Sequence, residues 1–182
     1  MQPAAKDTIP ILRLQAGCGP SEFGTIYRLL HDGVLHICTG AYSVRSTLLR
    51  AYRAADALVR SSNHWAACKH RCSYCCKDSM PVFAEEATLI RHLYGVSKPA
   101  VASTGGICPF LHKGECAIYP LRPLSCRLLI NVGPHPDPCR LEASHIPFLD
   151  TSSIWGIVAA SLPSQTVLPM KAAFPRKNAE RA

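Results

Sequence analysis

The sequence lacks the features that mark secreted, membrane and repeat proteins. Its first ten residues contain no continuous apolar stretch of the kind that a secretory signal needs. The longest uncharged run, residues 151–170, includes two prolines and several hydroxyl and amide side chains, which are costly in hydrocarbon. The chain also has no internal repeat and no low-complexity tract. We therefore expect a protein of the reducing cytoplasm, with no membrane span and no disulfide framework.

Signatures of catalysis are missing as well. The sequence contains no Ser-His-Asp set, no phosphate-binding loop and no paired-carboxylate motif. It also lacks the two C-x2-C knuckles of zinc-ribbon fingers, so nucleic acid is not expected as a partner. The sequence therefore identifies no catalytic residue, and it leaves open whether the protein is an enzyme.

What the sequence does contain is cysteine, ten residues in 182. Seven of them fall in two nearby stretches, the first of which holds four cysteines within nine residues. The seven are Cys68, Cys72, Cys75, Cys76, Cys108, Cys116 and Cys126. Thiolates that converge from separate stretches can hold a soft metal, and the binding free energy then stabilises the fold. We predict these seven side chains as metal ligands.

The identity of the metal stays open between zinc and an iron–sulfur cluster, because thiolate ligands suit both. The number of thiolates exceeds one tetrahedral site, which favours a cluster such as [4Fe–4S]. Consecutive Cys75 and Cys76 are expected to point to different sides of the backbone. This divergence favours two centres, or one centre and a spare thiol.

Three further cysteines and one histidine lie around the seven. Cys139 and His70 are left open as additional ligands. Cys18 and Cys38 lie upstream and belong to no ligand pair, so we expect them to be buried, inert thiols. The formal charge of +8 counts all cysteines as neutral. Four thiolates around one Zn²⁺ carry about two negative charges, so one site would lower the net charge to about +6.

The cysteines form part of a longer motif, C-x3-C-x2-C-C, then C-P-F-L, then G-x-C-x-I-Y-x-x-R-P-x-x-C-R, running from Cys68 to Arg127. This motif resembles the YkgJ-type cysteine-cluster family of zinc- or iron-chelating domains. The resemblance implies metal chelation by the motif cysteines and leaves the downstream role unknown. Arg122 and Arg127 bracket Cys126 in the motif, and we predict that they donate hydrogen bonds to a cluster sulfur or to a supporting carbonyl.

Two alternatives stand beside this metal-binding role. A related cysteine pattern occurs in flagellin lysine N-methylases, which suggests a metal-dependent enzyme. The exposed arginines between Arg45 and Arg60 suggest a zinc-containing nucleic-acid-binding module, although a solvated face is the better interpretation of them. The expected partners are a metal ion or cluster, with a protein partner left open.

The predicted fold is mainly α, with a small irregular and β-hairpin cysteine-rich metal-binding region, in a single compact domain. Apolar periodicity predicts a long helix over about 42–61, and end signals predict helices over 21–32, stopped by Gly33, and over 84–94. A hairpin turning at Lys113-Gly114 and a buried helix over about 154–162 complete the fold. We divide the chain into an N-terminal extension (1–40), a cysteine-cluster core (41–140) and a C-terminal helix and tail (141–182).

Overall fold

The computed structural model describes residues 8–9, 31–62, 66–68, 72–77, 80–95, 108–131 and 148–174. About 59% of these residues are helical, and the strands among them are short and form no closed sheet. The predicted fold class, mainly α with a small hairpin region, is therefore confirmed. No helix in the described ranges is long and apolar enough to cross a bilayer.

The chain divides into two compact units, each drawn from two stretches of sequence. Unit 1 comprises Met1–His70 and Leu124–Pro163, and unit 2 comprises Arg71–Pro123 and Ser164–Ala182. The predicted cysteines are split between them, because Cys68 and Cys126 belong to unit 1. The predicted boundaries at residues 40 and 140 stay a prediction.

Unit 1 is organised by a long helix, Val44–Ser62. Its buried side chains recur every three or four residues, and they include Leu48, Ala51, Ala55 and Leu58. This is the apolar stripe that the sequence predicts, and the helix begins and ends within two residues of the predicted bounds. The stripe forms one side of the core of unit 1.

Shorter elements complete unit 1. The helix Leu124–Leu128, which we call the motif helix, packs against the long helix. The helix Ser152–Ser161 buries Ile154 and Val158, as the predicted helix over 154–162 requires. Strand Phe148–Leu149 pairs in parallel with strand Thr8–Ile9. The motif helix thus lies in the same unit as the long helix.

One predicted helix end is wrong. Residues 31–39 are helical, so the helix continues through Gly33. A glycine inside a helix costs only about 1 kcal/mol relative to alanine, and the complete burial of Val34 offsets that cost. The predicted start at Ser21 lies outside the described residues.

In the described part of unit 2 there are two α-helices, two antiparallel pairs of short strands and two turns of 3₁₀ helix. The helix Ala84–Tyr94 ends at Gly95 in the left-handed conformation, with φ of 67°, as the sequence predicts. Its first turn is capped by Glu86, whose buried carboxylate accepts a 3.1 Å hydrogen bond from the Phe83 N–H. Strand Pro81–Phe83 pairs with strand Val167–Pro169, and a short helix, Met170–Ala173, follows.

The cysteine-bearing part of unit 2 is a hairpin and a turn. Strands Leu111–His112 and Glu115–Cys116 pair antiparallel, as predicted. Tyr74–Lys77 and Tyr119–Leu121 form single turns of 3₁₀ helix. Phe110 packs its ring edge-to-face on Phe174, 4.7 Å between centroids, which anchors the start of the hairpin to the C-terminal segment of the unit.

Candidate metal centre

The hairpin brings two cysteines of unit 2 into the same neighbourhood. Lys113 and Gly114 both adopt positive φ, 49° and 80°, the conformation of a two-residue type I′ turn. Leu111 then pairs with Cys116, and the Ala117 N–H donates a 2.8 Å hydrogen bond to the Phe110 carbonyl. Cys108 and Cys116 therefore flank one hairpin and interact electrostatically, as the turn predicts.

A second segment adds two more thiols. The 3₁₀ turn Tyr74–Lys77 carries Cys75 and Cys76 on consecutive residues. The Cys108 N–H donates a 2.6 Å hydrogen bond to the Cys76 carbonyl, so the turn is joined to the hairpin through backbone. Four cysteines thus gather within unit 2, and we call Cys75, Cys76, Cys108 and Cys116 the thiol group.

Side-chain hydrogen bonds join three members of the thiol group, Cys75, Cys76 and Cys108. Cys76 interacts with both Cys108 and Cys75, so consecutive positions do not separate these side chains as expected. Consecutive Cα atoms are only about 3.8 Å apart, which lets side-chain rotation bring neighbouring sulfurs together. The expectation that adjacency sends Cys75 and Cys76 to different centres therefore loses its geometric basis.

The ionisation of the thiol group is uneven. The hydrogen bond with Cys76, opposed by burial and aided by the N–H groups of Phe110 and Leu111, lowers the pKa of Cys108 to about 7. The pKa of Cys76 is raised well above its usual value, first by its hydrogen bonds with Cys108 and Cys75 and then by burial. Cys108 is thus the first of the pair to carry negative charge.

The pKa of Cys116 is set by its burial and by four neighbouring residues. Burial raises its pKa most strongly, and the negative charges of Cys108 and Cys75 raise it further. A hydrogen bond from the Ile118 N–H and the positive charge of Arg122 act in the opposite direction. The charge of Arg122 therefore partly offsets the effects that raise the pKa of Cys116.

Backbone N–H groups favour the ionised form of cysteines in both units. In unit 2, the N–H groups of Phe110 and Leu111 act to lower the pKa of Cys108, and that of Ile118 acts to lower the pKa of Cys116. The Leu111 N–H also donates a 3.1 Å hydrogen bond to the Cys108 carbonyl. In unit 1, the Asn131 N–H lies 3.2 Å from the Cys68 sulfur. Such donors stabilise a thiolate over a thiol, and they surround the sulfurs of protein metal and cluster sites.

Cys68 is held by a short backbone pairing within unit 1. The Ala67 N–H donates a 2.9 Å hydrogen bond to the carbonyl of Asn131, which is completely buried. The Cys68 thiol also approaches the Leu129 carbonyl at 3.9 Å. The sequence gives no sign of Asn131, because its contribution is a backbone N–H that any residue except proline could supply.

Cys126 lies half-buried on the motif helix of unit 1, with buried Arg127 beside it. The Arg127 guanidinium forms an ion pair with Asp56 of the long helix and lies over the Tyr52 ring, 4.3 Å from its centroid. Asp56, which the helical pattern assigns to the exposed face, is therefore a partner that the sequence analysis misses. A role for Arg127 beside a cluster stays a prediction.

Arg122 belongs to unit 2 and remains close to the hairpin. Its guanidinium donates a 3.1 Å hydrogen bond to the Tyr119 carbonyl and covers the Tyr119 ring at 4.0 Å. The positive charge of Arg122 acts to lower the pKa of Cys116, and its predicted contact with a ligand-supporting carbonyl stays a prediction. Whether Arg122 contacts a bound cluster stays a prediction.

Of the remaining cysteines and the histidine considered in the sequence analysis, the structure describes Cys72 and Cys38. Cys72 is half-buried next to the 3₁₀ turn. Cys38 is half-buried in unit 1, and burial, partly offset by a hydrogen bond with Ser161, raises the pKa of its thiol, in keeping with an inert side chain. Cys18, His70 and Cys139 lie outside the described residues. None of the eight cysteines in the described ranges forms a disulfide.

Cysteine sulfurs are suitable ligands for zinc and for iron. In the structure, however, the cysteines of the thiol group interact as hydrogen-bonded thiols. Within the described ranges, no three His, Cys, Asp or Glu side chains are positioned to hold one ion together. The thiol group has soft sulfur donors, mutual repulsion on ionisation, and N–H support for negative charge. These are the properties of a site whose thiols exchange protons for a metal.

Sulfur donors supported by backbone N–H groups define the class of thiolate metal-binding proteins. In agreement, residues 67–146 match the model of the CxxCxxCC family, described as "Putative zinc- or iron-chelating domain". The match confirms the resemblance predicted from the motif and supports zinc or iron as the chelated metal. Comparisons with curated proteins and with solved structures found no match.

Proposed function

We propose that this protein is a cytoplasmic metal-binding protein of the YkgJ type, which holds an iron–sulfur cluster or zinc through its clustered thiolates. The observation that carries the proposal is the Asn131 N–H, whose nitrogen lies 3.2 Å from the Cys68 sulfur, together with the backbone N–H groups that favour ionisation of Cys108 and Cys116. A neutral buried thiol needs few donors, whereas a metal-bound thiolate keeps negative charge that N–H groups stabilise.

The thiol group supplies the first four ligand candidates. Cys108 ionises most readily, and Cys76 gives up its proton with difficulty while it is hydrogen-bonded to Cys108. A cation removes the repulsion that opposes the second ionisation, so binding releases protons and is weakened by acid. Cys75 and Cys116 are the other two ligand candidates of the thiol group. Because no three side chains of the described ranges are positioned to hold one ion together, binding by this group would require its sulfurs to move closer to one another.

The other motif cysteines, Cys68, Cys72 and Cys126, remain ligand candidates of the same protein. Seven thiolates exceed one tetrahedral zinc site, which is the reason to favour a polynuclear iron–sulfur centre. When bound, such a centre provides electron transfer or a structural cross-link. The core proposed for this function spans residues 41–140, between the N-terminal extension and the C-terminal helix and tail.

The test is the metal content of serine variants purified anaerobically. Cys108→Ser and Cys116→Ser should each lose most of the bound metal, because each removes a sulfur that backbone N–H groups support. Cys38→Ser is the matched control, since it removes a half-buried thiol from a helix outside the motif and should leave the metal content unchanged. Equal metal loss in all three variants would contradict the assignment.

A further inference from the structure

Three arginines form a line along the exposed side of the long helix, and we call them the arginine stripe: Arg45, Arg53 and Arg60. At 3.6 residues per turn they fall within about 80° of the helix circumference, spaced about 12 and 10 Å along its axis. In the part of the chain that the structure describes, none of the three has an ion-pair partner. Their guanidinium groups are therefore available to an external anion.

The acidic residue on this helix does not neutralise the stripe. Asp56 is the only Asp or Glu between Val44 and Ser62. Its carboxylate is paired with the buried guanidinium of Arg127, so its charge is already compensated from the core side. The sequence pattern of four arginines against one aspartate thus understates the positive charge that the helix presents to solvent.

An aromatic platform lies at the beginning of the same helix. Tyr42 is 40% exposed, and the Arg50 guanidinium covers one side of its ring, 4.4 Å from the centroid. The Arg50 Nε also donates a 3.4 Å hydrogen bond to the Ser46 hydroxyl, which holds the guanidinium near the ring. An exposed ring backed by an arginine offers a π surface on which a nucleobase can stack.

We propose that the arginine stripe and Tyr42 together bind single-stranded nucleic acid. An arginine guanidinium can bind two phosphate oxygens at once, and a row of arginines can contact successive phosphates of a nucleic-acid backbone. An acidic protein segment would satisfy the stripe, but it would make no use of the exposed ring. An anionic bilayer would require an apolar surface on the helix, whereas the apolar stripe of this helix is buried in unit 1.

This surface is separate from the thiol group and does not depend on the proposed metal function. The missing C-x2-C knuckles exclude a zinc-ribbon mode of recognition and say nothing of a helical arginine face. Phosphate contacts and stacking carry little sequence information, so the expected ligand class is single strands of any sequence.

The test measures binding of a fluorescein-labelled 20-residue oligothymidylate to the full-length protein by anisotropy, over a range of salt concentrations. Each neutralised phosphate of a single strand contributes a slope of about −0.7 in log K against log salt, so the three arginines of the stripe predict a slope of about −2. Arg45→Gln/Arg60→Gln should lower affinity at least tenfold and reduce the slope to about −0.7. Tyr42→Leu should lower affinity about tenfold with little change in slope.

The matched control is Lys113→Asn/Lys171→Gln, which removes the same two charges from exposed positions of unit 2. Asparagine suits the positive φ at position 113. Its binding should stay within twofold of the parent protein. Equal loss in both double variants would show attraction to net charge alone and overturn the proposal. Binding of polyglutamate as tightly as oligothymidylate, or an unchanged affinity in Tyr42→Leu, would also overturn it.

Discussion

Arg127 and Asp56 form an ion pair in which the arginine side chain is 1% exposed and the aspartate side chain 32% exposed. The pair joins residues 71 positions apart and connects the motif helix to the long helix within unit 1. Because Arg127 also covers the Tyr52 ring, its charge lies among apolar and aromatic groups. The family motif residue is thus held by a carboxylate that lies outside the matched segment.

Removing the carboxylate should destabilise unit 1. Asp56→Asn leaves the Arg127 guanidinium buried without its counter-charge, and we expect a loss of about 3 kcal/mol in the free energy of unfolding, the low end for a buried pair since Asp56 is partly exposed. Urea unfolding followed by circular dichroism measures this loss. Asp32→Asn, at a side chain that is 76% exposed, should change stability by less than about 0.5 kcal/mol. Equal effects at both positions would contradict the role of the pair.

The two motif arginines should differ in how they affect the metal. Arg122→Ala removes the positive charge that favours ionised Cys116, and we expect about tenfold faster loss of metal to a chelator. Arg127→Ala tests the predicted second support and should increase the loss about 10- to 100-fold if Arg127 serves the metal. Arg45→Ala, on the exposed side of the long helix, provides the control rate. An unchanged rate in Arg122→Ala would remove Arg122 from the site.

A pH-dependent contribution to stability is expected from Glu85. Although burial opposes it, hydrogen bonds from the Ser164 hydroxyl and N–H lower the pKa of Glu85. A lowered folded-state pKa contributes stability above the unfolded value of about 4.3, and that stability is lost as pH falls through the folded value. Glu85→Gln should therefore be less stable than the parent at pH 7 and equally stable at pH 2.5. Glu85 is half-buried and its hydrogen bond with the Ser164 N–H is exposed to solvent, so the expected difference is a few tenths of a kcal/mol.

Metal removal should loosen the hairpin and spare the long helix. The amides of Phe110, Leu111 and Ile118 favour the ionised forms of Cys108 and Cys116, and the segment around them has little regular secondary structure. The long helix has its own buried stripe, and the motif helix packs against it. After chelation, hydrogen exchange should accelerate at 108–118 before it accelerates at 48–58 and 124–128. Simultaneous loss of protection in all three segments would contradict this order.

Local patterns in the sequence predict the parts of the fold that are local in origin. The 3.6-residue periodicity of Leu48, Ala51, Ala55 and Leu58 predicts the long helix, and Lys113-Gly114 predicts the hairpin turn. The contacts that the sequence could not predict are long-range. The Asn131 N–H reaches Cys68 across 63 positions, and Asp56 reaches Arg127 across 71. Contacts between residues so far apart in the sequence produce no periodic pattern from which they could be predicted.

In the candidate site, too, local sequence features are predictable and the contacts between side chains are not. The spacing of the motif identifies its seven cysteines, and the family match covers the same stretch. Spacing alone cannot show that Cys76 interacts with both Cys75 and Cys108, because side-chain rotation decides where neighbouring sulfurs meet. Nor can it show the backbone donors on Cys108 and Cys116, which depend on the hairpin conformation.

The most direct test of the central claim is metal analysis combined with the visible absorption spectrum of anaerobically purified protein. The account predicts bound iron with acid-labile sulfide and a brown colour, or else stoichiometric zinc without colour, with the motif thiols protected from alkylation until a chelator is added. Protein that is folded and free of both iron and zinc, with all seven motif thiols open to alkylation and no metal taken up on reconstitution, would contradict it.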